Sequence, residues 1–239
     1  MTEAASVPAI IETASGRILS TLNWLRAGVL GANDGVVSTA AIIFGVAGAS
    51  ASHATVVLAG IAAIAAGALS MAAGEYVSVS TQRDIEKAEL AREKRDLEEE
   101  PERELAVLAR LFEQRGVEPV LAKDVARQMT AKDALSVHAR AELGIDPEEV
   151  TNPWAAAVSS FVAFVIGGLV PILAMLLSPQ SVEIQVAGIA VVIAMALTGV
   201  ISARLGRFRV VPSVIRNVAG GLLAMGVTYG VGRIAGTQL

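Results

Sequence analysis

Between Ala54 and Gly74 this chain carries no Asp, Glu, Lys or Arg, and from Arg83 onward nearly every second residue is charged. Neither Gly nor Pro occurs from Glu75 through to Glu100. Without those breakers one helix is free to run from an apolar environment straight into water. The segregation holds along the whole chain. Residues 83–150 contain 18 of the 23 acids and 12 of the 19 bases, a local net charge of −6 within an overall −4. The apolar fraction is 54% with only 4% aromatics, so Ala, Val, Ile, Leu and 22 glycines supply the bulk. Small residues in such numbers suit closely packed transmembrane helices rather than an ordinary soluble core.

A span needs about 20 mostly apolar residues to cross roughly 30 Å of hydrocarbon. Five stretches qualify: Leu22–Gly48, Ala54–Ser80, Asn152–Leu177, Glu183–Ala203 and Val211–Ile234. The expected fold is therefore all-α, a five-span helical bundle with a helical insert between spans two and three. Its expected divisions are an N-terminal segment 1–21, spans one and two in 22–82, the insert in 83–150 and spans three to five in 151–239. Basic residues fall at Arg17 and Arg26, in the insert, and at Arg204, Arg207, Arg209 and Arg216; the connections 49–53 and 178–182 have none. By the positive-inside rule the N-terminus and the insert are cytoplasmic and the C-terminus is on the opposite side. Residues 1–20 lack a basic region followed by an apolar core, so no cleaved signal is expected, which points to a bacterial inner membrane.

Within the insert, Leu105, Leu108, Leu111 and Phe112 define one apolar helical face, and Val120, Leu121, Val125 and Met129 a second. Thr130–Asp133 reads as a capping signal for a third helix, Ala134–Leu143, stopped by Gly144. Asp146-Pro147-Glu148 reads as an N-cap with proline in the first turn of the helix returning to the membrane.

Three groups of residues carry potential chemistry. Asp34 lies about twelve residues into span one, where a charge costs at least ~2.5 kcal/mol and commonly marks an ion path. The plainer alternative is that Asn33-Asp34-Gly35 caps the second half of a broken helix, and a broken helix would itself expose carbonyl ligands. Met71 and Glu75, four apart, share one face of span two. A thioether beside carboxylates suits a softer divalent transition ion better than Mg²⁺ or Ca²⁺; ordinary packing of Met71 and a solvated Glu75 are the alternatives. In the insert, Glu86, Glu89, Glu93 and Asp96 follow one helical stripe, and Glu104 and Glu142 lie on later helices. Such carboxylates can converge on metal ions or form a solvated face. His138, four before Glu142, fits a site or a surface equally well. No basic face suggests nucleic acid. Zero cysteines exclude disulfides and thiolate sites. HExxH, P-loop, GxGxxG and Ser/His/Asp sets are all missing, so an enzyme is not expected.

The segments Leu25-Arg-Ala-Gly-Val-Leu-Gly-Ala-Asn-Asp-Gly-Val-Val-Ser38, Ser70-Met-Ala-Ala-Gly-Glu-Tyr-Val-Ser78 with Gln82-Arg-Asp84, and Ala139-Arg-Ala-Glu-Leu-Gly144 resemble the vacuolar iron transporter family. The resemblance runs from span one to span five. It implies a homodimer of five-span protomers in the lipid bilayer that exports Fe²⁺, and often Mn²⁺, from cytosol in exchange for protons. It also implies a cytoplasmic metal-binding domain between spans two and three, and no organic cofactor. Residue by residue, Asp34 and Met71 match the family's membrane iron path, and Glu93, Asp96, Glu104 and Glu142 match its acidic ligands. Val107 and Ala139 stand where some members have a Glu and a Met ligand, and His138 replaces another Met. Asn23 and Ala63 stand where plant-type members have membrane carboxylates, a role Glu75 is expected to share. A rival of another class is a membrane-anchored metal sensor that moves nothing; an iron-oxidising ferritin-like enzyme is weaker, because the insert lacks Glu-x-x-His pairs.

Overall fold

The computed structural model describes the backbone of residues 7–148 and 151–237, and side chains from residue 28 onward. Among the described residues seven α-helices follow one another: α1 (Val7–Gly48), α2 (His53–Glu99), α3 (Pro101–Gln114), α4 (Pro119–His138), α5 (Pro153–Leu176), α6 (Glu183–Leu205) and α7 (Val210–Gly236). A single π-turn, Ala139–Leu143, extends α4. No strand occurs among the described residues. Five of the helices are long and apolar enough to cross a membrane. In hydrocarbon a helix satisfies its own backbone groups, which is why these runs take no other form. The chain divides into two compact units, 1–76 with 154–239, and 77–153. The continuous 47-residue α2 contributes to both.

In the apolar unit α1 is central. Val36 and Ala40 pack with Val191, Met195 and Met225 of α6 and α7, while Ile43 packs with Val56, Ile172, Met175 and Ala187 of α2, α5 and α6. The alternative of a helix broken at Asn33-Asp34-Gly35 is not realised, because α1 is helical through these residues. Gly35 is there for contact. A Cβ on it would collide with the Phe164 carbonyl of α5, and a Cβ on Gly167 of α5 would collide with the Ala32 carbonyl. These two glycines let the two backbones touch, and the contact holds the weak helix formers Asn33 and Asp34 in helix.

Short turns join the spans. Ser52 caps α2 by accepting from the Thr55 N–H at 3.3 Å. His53 at the start of α2 meets Glu183 at the start of α6 at 2.6 Å, so these two connections lie at the same end of the bundle. The Tyr76 and Trp154 rings pair at 4.8 Å where the chain leaves this unit and returns to it. Residues 1–6, part of the expected segment 1–21, fall outside the described residues.

In the charged unit Leu108, Ala109 and Ala126 form the core, with Leu105, Phe112, Val137 and Ala141 against it. The second apolar face is not the one expected. Val120, Leu121 and Met129 are exposed, and α4 is buried instead through Ala122 and Ala126. Small side chains let α4 approach α3 closely, leaving the larger apolar residues outside. The capping signal is realised by Asp133, whose backbone is extended within α4 and whose carboxylate accepts from the Ser136 N–H at 3.1 Å. Asp146 does not cap a returning helix. Its carboxylate accepts from the Glu148 N–H in a local turn and pairs with Arg140 at 3.0 Å, and the next helix starts at Pro153.

Candidate metal centre

Four side chains from four stretches of the charged unit converge. Glu93 comes from α2, Glu104 from the first turn of α3, His138 from the end of α4 and Glu142 from the π-turn. One donor atom from each lies within 4.8 Å of all the others. The fold delivers them inward by local devices. The interruption at Asp133 restarts the helix so that Ser136, His138 and Ala139 are buried. The π-turn then widens the chain and ends at Gly144 in the left-handed conformation, φ 68°, a residue without a Cβ being suited to that end. Arg115, at the end of α3, donates to the Ala141 carbonyl at 2.9 Å and ties the turn down.

The electrostatics are those of a site short of positive charge. Glu93 and Glu104 are 7% and 5% exposed and His138 is fully buried. His138 Nδ1 lies 2.9 Å from Glu142 Oε1 and 3.5 Å from Glu93 Oε1, while its Nε2 lies 3.3 Å from Thr130 Oγ1. Glu93 Oε1 is buried with no hydrogen-bond partner. Burial pushes the Glu93 carboxyl above its ordinary range, and the Glu142 charge adds to this; His138 opposes it. Burial also raises Glu142, helped by Glu104. His138 is held below the usual imidazole range by burial, against the pull of Glu93 and Glu104. Three carboxylates and one imidazole, with an oxygen left bare, can be satisfied by a divalent cation with mixed O and N ligands.

Of the acids expected from the sequence, Glu93, Glu104 and Glu142 are brought together and Asp96 is not. Asp96 stands three residues beyond Glu93, partly exposed and 3.7 Å from Arg92. His138, left open by the sequence, is in the cluster. Its signal was the i,i+4 spacing to Glu142.

In the apolar unit, Asp34 is exposed, and Met71 and Glu75 are half-buried. Among the described residues no basic group pairs with Asp34, and no hydrogen bond or ion pair joins these three. The sequence reading missed a polar set one residue away. Asn33 Oδ1 accepts from Thr198 Oγ1 of α6 at 3.2 Å, and Thr198 Oγ1 accepts from Asn217 Nδ2 of α7 at 3.4 Å. It also missed the His53–Glu183 pair. Polar side chains inside apolar runs were the available signal for both.

The VIT family model matches residues 25–233. The chain belongs to the VIT family. A vacuolar iron transporter of Acanthamoeba castellanii is 43% identical over 232 residues, covering 96% of this chain and 85% of that protein. Vacuolar iron transporter homolog 2.1 of Arabidopsis thaliana is 35% identical over 90% of this chain and 82% of its own. Vacuolar iron transporter homolog 5 of Oryza sativa subsp. japonica is 36% identical over 89% and 80%. With its five apolar helices, this VIT family member is an integral membrane metal-ion transporter and not an enzyme.

Proposed function

We propose that the protein exports Fe²⁺, and also Mn²⁺, from the cytosol in exchange for protons, and that its acidic unit gathers the ion on the cytosolic side. The observation that carries the metal reading is the Glu93–Glu104–His138–Glu142 cluster, three of its side chains buried and one carboxylate oxygen without a hydrogen bond. Asp96 adds negative potential at its edge. The names of the relatives support iron as the cargo. Glu75, Met71 and Asp34 are the proposed membrane path, with protons and metal alternating on the carboxylates.

A homodimer completes this reading. An exposed Asp34 facing acyl chains would cost about 2.5–3.5 kcal/mol. A second copy covering that face of α1 would remove the cost and place two such carboxylates along one path. The N-terminus and the acidic unit are then cytosolic, and α7 ends on the far side.

The test is uptake of Fe²⁺ into proteoliposomes under an imposed pH gradient. Wild type should accumulate the ion only with the gradient, and Asp34→Asn should abolish uptake while still inserting and dimerising. Normal uptake by Asp34→Asn refutes the path. Metal binding by wild type without any uptake would favour the anchored sensor.

A further inference from the structure

We infer that the turn joining α6 and α7 is a binding site for an anionic phospholipid. Arg204, Arg207, Arg209 and Arg216 hold its phosphate, and the exposed apolar side chains among them meet its acyl chains. The inference needs only that the chain is an integral membrane protein, and it is independent of which ion is carried.

The turn has a defined backbone. Gly206 N–H donates to the Ser202 carbonyl at 2.9 Å, and Phe208 N–H reaches back to the Ala203 carbonyl at 3.0 Å, which closes α6 in a Schellman motif. Between them Arg207 takes the left-handed conformation, φ 54°. Glycine fills that position at less cost, because it has no Cβ. The glycine instead stands one residue earlier, where a Cβ would collide with the Phe208 ring. The sequence thus folds Phe208 over Gly206 and puts a guanidinium at the left-handed corner. Arg209 follows as the N-cap of α7, with no side-chain cap bond. Arg216 lies seven residues on, about 10 Å along the same face of α7.

The four cations lack a counter-ion in the protein. All are exposed, the chain has no Asp or Glu from Ile184 to Leu239, and among the described residues no ion pair involves any of them. The C-terminal end of α6 accounts for Arg204, since the helix dipole favours a cation there. It does not account for the other three, whose like charges repel until an anion sits among them. Guanidinium groups suit phosphate, which they can bind with two parallel hydrogen bonds. The source of that phosphate is set by the apolar neighbours. Phe208, Val211 and Ile215 are exposed among the arginines, so a partner must offer negative charge and hydrocarbon together. A phospholipid does, and Arg216 can extend along the helix to the headgroup level. A basic segment beside a span gains roughly fivefold in affinity for an anionic leaflet per arginine.

The experiment titrates the full chain, in neutral detergent and without added metal, with dioleoyl phosphatidylglycerol, dioleoyl phosphatidylcholine or soluble glycerol phosphate. Native mass spectrometry counts the bound molecules. Wild type should hold phosphatidylglycerol about tenfold or more tightly than phosphatidylcholine, and leave glycerol phosphate unbound at the same concentration. Arg207→Gly, Arg209→Gln and Arg216→Gln should each lower that preference roughly fivefold. Arg207→Gly also relieves the left-handed residue, so its loss of lipid is not a loss of fold. Arg233→Gln, in the last turn of α7, should leave the preference unchanged. Equal binding of the two lipids, binding of glycerol phosphate as tight as that of phosphatidylglycerol, or an unchanged preference in the three variants overturns the assignment. So does a loss in Arg233→Gln as large as theirs, which would make the effect one of overall charge.

Discussion

Glu93→Gln should stabilise the metal-free acidic unit and at the same time weaken its hold on metal. In the empty protein Glu93 is 7% exposed and its Oε1 makes no hydrogen bond, its nearest polar contact being His138 Nδ1 at 3.5 Å, with the carboxylates of Glu142 and Glu104 close by. A buried group left unsatisfied costs about 1–3 kcal/mol, more if charged. Glutamine keeps the shape, loses the charge and offers an N–H₂ donor to the neighbouring carboxylates. At about 1.4 kcal/mol per factor of ten, the relief corresponds to roughly 5- to 150-fold slower amide exchange where opening of this unit controls exchange. Hydrogen exchange on the full chain in detergent, read at 104–112 and 122–138, measures this directly. Saturating Mn²⁺ should then protect wild type strongly and the variant little, so their order reverses. The sign with pH is also fixed. A carboxyl whose folded pKa is raised costs stability when ionised, so its penalty is present above the folded pKa and vanishes below the unfolded one. The advantage of Glu93→Gln is therefore full at neutral pH and shrinks on acidification. Faster exchange in the metal-free variant, or equal protection of both proteins by Mn²⁺, would refute the argument.

Other predictions follow from the same geometry. Because burial raises Glu93 and Glu142, protons should displace Mn²⁺ at a higher pH than solvated carboxylates would allow; the free Mn²⁺ electron-spin signal across a pH titration checks it, and retention down to the ordinary carboxylate range contradicts it. Gly35→Ala should lower the thermal midpoint by an amount equivalent to about 1–3 kcal/mol, because the Phe164 backbone blocks the added carbon. Gly220→Ala, with nothing within 4 Å, should be neutral or stabilising by up to ~1 kcal/mol in the same melt. His53→Ala strips Glu183 of its partner and should cost about 1–2 kcal/mol, since Glu183 is buried and the bond is charge-assisted; an unchanged midpoint would count against the pair as a clamp.

Much of the fold was legible because lipid and water impose opposite demands on the same backbone. The apolar runs gave five long helices, α5, α6 and α7 to within a few residues, while α1 starts well before Leu22 and α2 continues well past Ser80. The failures were local. Asn33-Asp34-Gly35 allowed a broken helix as an alternative, yet the packing of Gly35 against Phe164 outweighs a few tenths of a kcal/mol per residue. Val120, Leu121 and Met129 looked like a buried face, yet α4 turned its alanines inward. In each case a weak intrinsic preference gave way to contacts with a distant segment.

The candidate site divides along the same line. Sequence spacing fixes angles about a single helix axis, so it paired His138 with Glu142 and put Glu93 and Asp96 on one stripe. It carries no information about which helices abut, or about the rotation each adopts when they do. Only the folded chain decided that Glu93 enters the cluster while Asp96 pairs near Arg92. Only there do residues up to 49 positions apart in the chain, Glu93 to Glu142, come within 4.8 Å. The apolar runs decide where the chain crosses lipid, because transfer free energy adds up along a segment. A metal centre needs three-dimensional convergence, and no one-dimensional sum supplies it.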